Sequence, residues 1–153
     1  MQVGFDVGAT KIESVILDDQ GNEKHRERRD CPKDYNSIIH LIKDTVKKLE
    51  KKHPQTFPVR VCHPVVHSSQ SRLVKNTPNS IWIKKKPFQK YLREVLGREV
   101  FCENDGNFFA LSEAMDGAGK HYKIVYGIIL GPGAGGGLVI DNLVEQNSKI
   151  VLE

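Results

Sequence analysis

The stretch "FCENDGNFFALSEA", residues 101 to 114, decides the fold, because an apolar strand end runs without a spacer into a helix-like segment. Strands followed directly by helices are typical of α/β folds. In the open sheets of such folds, ligands bind at the carboxyl ends of the strands. Asn104 and Asp105 stand at that place. The stretch therefore predicts an α/β domain with a functional site at this strand end.

Two roles are open for Asp105 from the stretch alone. The positive end of the helix dipole keeps a carboxylate ionised, so that Asp105 is able to accept a proton from a substrate. Aspartate at this place also caps helices routinely, by accepting a hydrogen bond from a backbone N–H of the first turn. The first role is catalytic and the second is structural.

The segments around this stretch complete the α/β pattern. Two alternating apolar segments, residues 2–10 and 11–23, predict a hairpin with a glycine-containing tip, and the second strand ends in a turn at Asp19, Gln20 and Gly21. The other predicted elements are a helix over 34–53, a strand over 57–66, a helix over 86–97, a strand over 98–104, a helix over about 106–116 and two strands within 124–140. The order β-β-α-β-α-β-α-β-β predicts a mixed sheet flanked by helices.

Apolar side chains at helical spacing define the inward faces of the two longer predicted helices. Gly97 is expected to end the second of them. The residues expected to point inward are Ile38, Ile39, Ile42, Val46 and Leu49 in the first helix, and Phe88, Leu92 and Val95 in the second.

Two glycine-rich motifs are candidates for binding phosphate. In "DVGATK", residues 6–11, glycine lets the backbone approach an anion, Thr10 offers a hydroxyl, Lys11 supplies charge, and Asp6 could hold a magnesium ion through water. In "GPGAGGG", residues 131–137, backbone N–H groups could point at phosphate oxygens. An ordinary hairpin tip and a flexible turn remain the alternatives.

The composition excludes several classes of protein. The net charge of +4 comes from basic runs at 23–29, 47–52 and 83–90, which are mixed with or followed by acids, so we expect solvated faces and no nucleic-acid binding. No apolar run approaches the ~18 residues of a membrane span, and no signal peptide is visible, so we expect a cytoplasmic protein without membrane contact. Three cysteines without a CxxC pair indicate reduced thiols rather than a zinc site.

Taken together and in this order, the motifs resemble the sugar kinases of the ROK family, which belong to the actin-like ATPase (ribonuclease H-like) superfamily. The resemblance covers roughly residues 2 to 145. It is carried by "GFDVGATKIE", "LVKNTPNSIWIKKKPF", "EVFCENDGNFFALSEAMDGAG" and "GIILGPGAGGGLVIDNLVEQ". Within the family, these motifs are most similar to the bacterial fructokinase (manno(fructo)kinase) and N-acetylglucosamine kinase branches.

The resemblance implies ATP-dependent transfer of a phosphoryl group to a hydroxyl of a hexose such as fructose or mannose, with Mg²⁺ as cofactor. It implies Asp105 as the catalytic base. The other implied roles are sugar binding by Asn104 and Asn79, phosphate binding by Gly8, Thr10 and Lys11 in one loop and by Gly131 and Gly133 in another, and water-mediated magnesium binding by Asp6.

Three positions depart from the family pattern. Pro132 stands where the family usually has threonine, which removes a hydroxyl and a backbone N–H that could each bind phosphate. Val65 replaces a glycine of a turn near the sugar, and His63 enters the same turn. Taken in isolation, His63 is typical of a surface or turn histidine.

The resemblance also predicts how the chain divides. Residues 1–120 correspond to the N-terminal lobe and residues 121–153 to the first hairpin of a second lobe, with the remainder of that lobe and its zinc site absent. Because the apolar strands of this hairpin would lack their partners, we expect a homodimer through exposed edge strands or completion by a missing lobe. The chain alone is expected to be weakly active or inactive.

Two alternatives to the kinase remain open. One is a non-catalytic module that binds sugar or a protein partner, which Pro132 and Val65 favour. The other is a transcriptional regulator, as some family members are. The absence of a DNA-reading segment ahead of Gly4 counts against the regulator.

Overall fold

The computed structural model describes residues 1–63, 83, 84, 86–130 and 134–144. The chain divides into two compact units, Met1–Cys102 and Glu103–Glu153. The lobe boundary predicted at residue 120 stays a prediction. None of the helices among the described residues is both long enough and apolar enough to cross a membrane.

The first unit is built on a five-stranded mixed sheet, as the sequence predicts. Its spatial order is β3-β2-β1-β4-β5. Strand β1 pairs antiparallel with β2 and parallel with β4, and β2 pairs antiparallel with β3. The strands are β1 (Gln2–Val7), β2 (Lys11–Leu17), β3 (Glu23–Asp30), β4 (Val59–His63) and β5 (Val100–Asn104).

Strand β3 was not predicted from the sequence. Its residues, "EKHRERRD", are all charged or histidine, so the apolar alternation that indicates a strand is lacking. The strand forms because it follows a tight turn and pairs with β2. In that turn the Asp18 side chain accepts hydrogen bonds from the N–H groups of Gln20 and Asn22, and Gly21 adopts φ 83°. At the edge of the sheet, His25, Glu27 and Arg29 of this strand are partly buried, and its other five residues are exposed.

Two helices pack on one face of this sheet. Helix α1 (Tyr35–Lys52) begins at Asp34, whose side chain accepts a hydrogen bond from the N–H of Ser37 at 2.9 Å. Helix α2 (Phe88–Leu96) ends at Gly97 in the left-handed conformation, with φ 64°. The inward face predicted for α1 is confirmed, since Ile38, Ile39, Ile42, Val46 and Leu49 are buried.

The core of the first unit lies between these helices and the sheet. Phe88 and Leu92 of α2 are fully buried, and Val95 packs against the same core. His63 is fully buried too, with its ring 5.7 Å from that of Phe88, so the expectation of a surface or turn histidine is wrong. The alternation of β4 places His63 on the same face as the buried Val59 and Val61.

The second unit pairs one helix with a small antiparallel sheet of order β6-β7-β8. The elements are α3 (Asp105–Met115), β6 (Ile124–Leu130), β7 (Ala134–Ile140) and the short β8 (Leu143–Val144), which the sequence did not predict. Residues Asp141 and Asn142, both with positive φ, turn the chain from β7 into β8.

The glycine run at 131–137 is shorter as a loop than the sequence indicates. Gly135, Gly136 and Gly137 belong to β7, whose pairing with β6 continues to Leu130 opposite Ala134. A Cβ added at Gly137 would collide with the backbone of Gly106 and Asn107. These glycines therefore allow α3 to lie directly on the strand.

Candidate active site

The start of α3 carries the acid and amide predicted as a site. Asn104 has extended backbone angles (φ −69°, ψ 147°), and its side-chain oxygen accepts hydrogen bonds from the N–H groups of Gly106 at 2.9 Å and Asn107 at 3.4 Å. Asn104 is therefore the helix cap, and the structural role considered for Asp105 belongs to its neighbour.

Asp105 is the first helical residue. Its Oδ1 accepts a hydrogen bond from the N–H of Gly106 at 2.8 Å. Within the described part of the chain, its Oδ2 accepts no hydrogen bond, and the side chain is half-buried. A carboxylate held by one oxygen at the positive end of a helix, with the other oxygen open, has the arrangement that a general base needs.

Sequence analysis missed a hydrogen bond near this carboxylate, between the side chains of Glu103 and Asn107. Glu103 Oε1 accepts hydrogen bonds from the N–H of Asn104 at 2.8 Å and from Nδ2 of Asn107 at 3.0 Å. The hydrogen bond between Glu103 and Asn107 joins the end of β5 to the first turn of α3. An acid and an amide four residues apart across a helix start were the available signal.

Close contact with the backbone of β7 also fixes the first turn of α3. A Cβ placed on Gly106 would lie 2.6 Å from the carbonyl oxygen of Gly136 in β7. Real Cβ atoms do not approach an oxygen that closely, so only glycine fits there. The first turn of α3 is held by the side chains of Glu103, Asn104 and Asn107 and by β7.

The first predicted phosphate loop is the tip of the β1–β2 hairpin. The N–H of Gly8 donates to the carbonyl of Lys11 at 2.9 Å, and a Cβ at Gly8 would lie 3.1 Å from that oxygen. Thr10 is exposed, and its carbonyl accepts the N–H of Cys31 at 2.8 Å. Across the described ranges, the N–H groups of Ala9 and Thr10 donate no turn hydrogen bond. The tip thus has donors suited to a phosphate.

Charged side chains flank this tip. Lys11 forms an ion pair with Asp30 at the end of β3, and this contact holds the pKa of the Asp30 carboxyl below its usual range, with a smaller contribution from the charge of Lys33. Lys33 Nζ lies 3.4 Å from the carbonyl oxygen of Ala9. Neither Asp30 nor Lys33 was found from the sequence, because their place depends on the unrecognised β3.

Asp6 is exposed on β1, beside Glu13 of β2 and Cys62 of β4 in the strand register. Carboxylate oxygens are ligands that Mg²⁺ accepts directly or through water, so Asp6 fits the predicted magnesium role. The described residues include no group of three potential metal ligands. Asn79, Gly131 and Gly133 lie outside the described residues, as do Val65 and Pro132.

The predicted site residues thus form two groups. Asp6, Gly8, Thr10 and Lys11 lie in the first unit, and Asn104 and Asp105 lie in the second.

A comparison with protein families matches residues 2–147 to the ROK family. The chain belongs to the ROK family. It is 39% identical over 150 residues to the N-acetyl-D-glucosamine kinase of Histophilus somni (strain 129Pt), an alignment that covers 97% of this chain and 49% of the relative. The chain spans about half the length of the curated relatives it matches.

Solved structures of ROK proteins share the fold. The ROK hexokinase from Thermus thermophilus matches with a TM-score of 0.81 and 25% identity over 94% of this chain and 48% of that one. The ROK family glucokinase from Streptomyces griseus, solved in complex with glucose and AMPPNP, matches with a TM-score of 0.81 and 28% identity over 94% of this chain and 46% of that one. The predicted actin-like ATPase fold is confirmed, and the matches cover only about half of each partner chain.

Proposed function

We propose that this chain contributes the catalytic base and two phosphate-binding loops to an ATP-dependent sugar kinase. One observation carries the proposal: Asp105 stands first in α3, with Oδ1 bound to the N–H of Gly106 and Oδ2 open to a substrate. Membership of the ROK family and the likeness to named kinases support it.

In the proposed reaction, a sugar hydroxyl gives its proton to Asp105 Oδ2 while its oxygen forms a bond to the γ-phosphorus of ATP. The bond between that phosphorus and its bridging oxygen breaks, and ADP leaves. Because the Oδ1 of Asn104 accepts the two hydrogen bonds that cap α3, Asn104 is proposed to contact the sugar through its amide nitrogen, as a donor to a hydroxyl oxygen. Asn79 is proposed as a second sugar contact.

The proposed phosphate sites are the hairpin tip with Gly8, Thr10 and Lys11 and the loop with Gly131 and Gly133. Asp6 would hold Mg²⁺ through water. When bound, magnesium neutralises charge on the phosphates. The tip supports its part of the proposal through its open backbone donors and its exposed threonine.

The identity of the sugar is the most specific part of the proposal. The similarity to N-acetyl-D-glucosamine kinases favours N-acetylglucosamine. The resemblance of "NSIW", residues 79–82, which lie outside the described residues, and of "KPF", residues 86–88, to the fructokinase branch supports fructose or mannose. We therefore propose an aldohexose derivative first and fructose second.

The test is an ADP-release assay with MgATP against fructose, mannose, glucose, N-acetylglucosamine and N-acetylmannosamine. Asp105→Asn should lower kcat by at least about 100-fold, because the reaction loses its base. Asp116→Asn removes the same charge from the other end of α3 and should leave kcat unchanged. Retained activity in Asp105→Asn would contradict the role of Asp105.

Absence of turnover with every sugar, in protein shown to be folded by circular dichroism, would instead favour the non-catalytic module. Calorimetric titration with the same sugars then decides whether that module binds sugar. Loss of the binding heat in Asn104→Ala would assign the contact.

A partner surface is a second proposal, favoured by β6. Among the described residues, this strand pairs with β7 alone, and Ile124, Tyr126, Ile128 and Leu130 are exposed on one face of it. A groove of about 380 Å³ lies along the strand, with Phe109 and Tyr122 in its lining. We propose that a second copy of the chain pairs with this edge.

A further inference from the structure

We propose that Asp30 and Lys33 set the phosphate affinity of the hairpin tip formed by residues 8–11. In this proposal Asp30 competes with an incoming polyphosphate for the ammonium group of Lys11, and Lys33 supplies a second cation to the bound anion. The inference rests on the proposed role of the tip in binding phosphate, and it adds two residues to that role.

The strand register places Asp30 directly against Lys11. The two residues are opposite partners at the first position of β2 and the last position of β3, and their side chains form an ion pair. The side chain of Asp30 is 86% exposed, and that of Lys11 is 50% exposed. Exposed pairs are weak because water screens them, so a multiply charged phosphate can displace the Asp30 carboxylate from Lys11.

Lys33 is held at the tip by the segment that follows β3. The N–H of Cys31 donates to the carbonyl of Thr10, which ties this segment to the hairpin. Two residues later, the ammonium of Lys33 lies 3.4 Å from the carbonyl oxygen of Ala9. That hydrogen bond is long, and an ammonium group has three donors, so Lys33 can turn toward an anion at the tip without losing a strong contact.

The charges around the tip support competition rather than simple attraction. Two lysines, Lys11 and Lys33, flank it together with two carboxylates, Asp30 and Asp6. Because Lys11 keeps the pKa of Asp30 below its ordinary value, Asp30 is ionised throughout the neutral range. The competitor for Lys11 is thus always present, and removing its charge should strengthen anion binding.

The experiment measures dissociation constants of magnesium ATP and of inorganic tripolyphosphate for the full chain by calorimetry. Asp30→Asn should tighten both by about two- to fivefold, which corresponds to the worth of an exposed ion pair. Glu23→Gln is the matched control, because it removes an equal charge from the far end of β3. It should leave both constants unchanged.

Two further variants test the mechanism. Lys33→Met should weaken binding by about two- to fivefold, whereas Lys24→Met, which lies at the far end of β3, should not. In a Lys11→Met background, Asp30→Asn should no longer tighten binding, because the lysine for which Asp30 competes is gone.

The outcomes separate the inference from the proposed function. If wild type binds and Lys11→Met weakens binding, but Asp30→Asn equals wild type, the role of Asp30 is wrong while the tip remains a phosphate site. An equal gain in Glu23→Gln would also overturn the inference, because net charge would then explain it. If no variant binds either probe, the phosphate role of the tip fails and the inference fails with it.

Discussion

Strands β3 and β6 each lie at the edge of a sheet, but their side chains have opposite effects on pairing with another chain. Every residue of β3 is charged or histidine, and its arginines form ion pairs with Glu13, Glu23 and Glu27. Along β6, four large apolar side chains on one face are between 38% and 81% exposed. A charged edge resists pairing with another chain, whereas an apolar edge favours it. The difference supports the proposal that β6 is an interface, whereas β3 is not expected to pair with another chain.

The interiors of the two units differ in the same sense. In the first unit, large side chains from α1, α2 and four strands form a continuous buried core. In the second, the buried apolar side chains among the described residues are Ala110, Ala114 and Val139, and the close contacts between α3 and β7 are made by glycine backbone. Burial of apolar area is the main stabilising contribution. The described part of the second unit therefore depends more on close backbone fit.

The largest expected effect comes from filling the contact between α3 and β7. In Gly137→Ala, the new Cβ would meet the carbonyl oxygen of Gly106 and the Cα of Asn107, which are backbone atoms that cannot rotate away. We expect the second unit to lose about 3 kcal/mol of its free energy of unfolding, measured by amide hydrogen exchange of α3 and β7.

The control for that variant is Gly135→Ala in the same strand, where nothing lies within 4 Å of the added Cβ. Hydrogen exchange of the second unit should be unchanged or slightly slower in this variant, because alanine restricts the unfolded chain. Equal destabilisation by both substitutions would mean that glycine in β7 serves flexibility rather than packing.

Most of the first unit could be predicted from its sequence, because its helices follow a clear physical pattern. The apolar residues of α1 recur at helical spacing, and this burial was predicted correctly. Strand β3 could not be predicted, because a strand made of charged residues and histidine has no apolar alternation. Asp30 and Lys33 were missed as a consequence, since only the pairing of β3 brings them to the hairpin tip.

The candidate site was predicted in place but not in detail. The strand-to-helix junction located Asn104 and Asp105, yet both residue types cap helices, and the sequence could not assign the cap to Asn104. The glycine run was ambiguous for a different reason. Glycine serves both phosphate loops and close packing, and only the register of β7 shows that Gly136 and Gly137 lie against α3.

The second prediction exchanges the character of the two edges. Ile128→Lys places a charge on the exposed face of β6 and should weaken self-association by at least about tenfold, measured by analytical ultracentrifugation over a range of concentrations. Because Ile128 is half-exposed, we expect little change in the free energy of unfolding of the monomer.

Arg28→Ile is the reciprocal variant, since it places an apolar residue on the exposed face of β3. A single apolar residue among charged neighbours should not produce association. Monodisperse monomer for wild type at all concentrations would contradict the proposal that β6 pairs with a second copy.

The smallest expected effect concerns the ion pair between Arg98 and Glu50 in the first unit. Arg98 forms an ion pair with Glu50 of α1 and also donates to the carbonyl of Phe57 at 3.2 Å, while Glu50 accepts the N–H of Phe57 at 3.3 Å. The two charged side chains are 22% and 21% exposed. Glu50→Gln keeps the shape and removes the charge, so we expect a loss of about 1 kcal/mol in the free energy of unfolding at pH 7, measured by urea denaturation.

The pH dependence of this loss separates the ion pair from general packing. The hydrogen bond from Arg98 lowers the pKa of Glu50 below its ordinary value. A carboxyl with a lowered folded-state pKa stabilises the protein fully above its unfolded-state pKa of about 4.3 and loses that contribution as pH falls through the folded-state value. The difference in the free energy of unfolding between wild type and Glu50→Gln should therefore shrink toward acid pH.

The exposed Glu94, paired with Lys90, provides the control, and Glu94→Gln should change the free energy of unfolding by less than about 0.5 kcal/mol. A difference for Glu50→Gln that stayed constant down to acid pH would show that its charge contributes nothing and that the first unit is closed by packing alone.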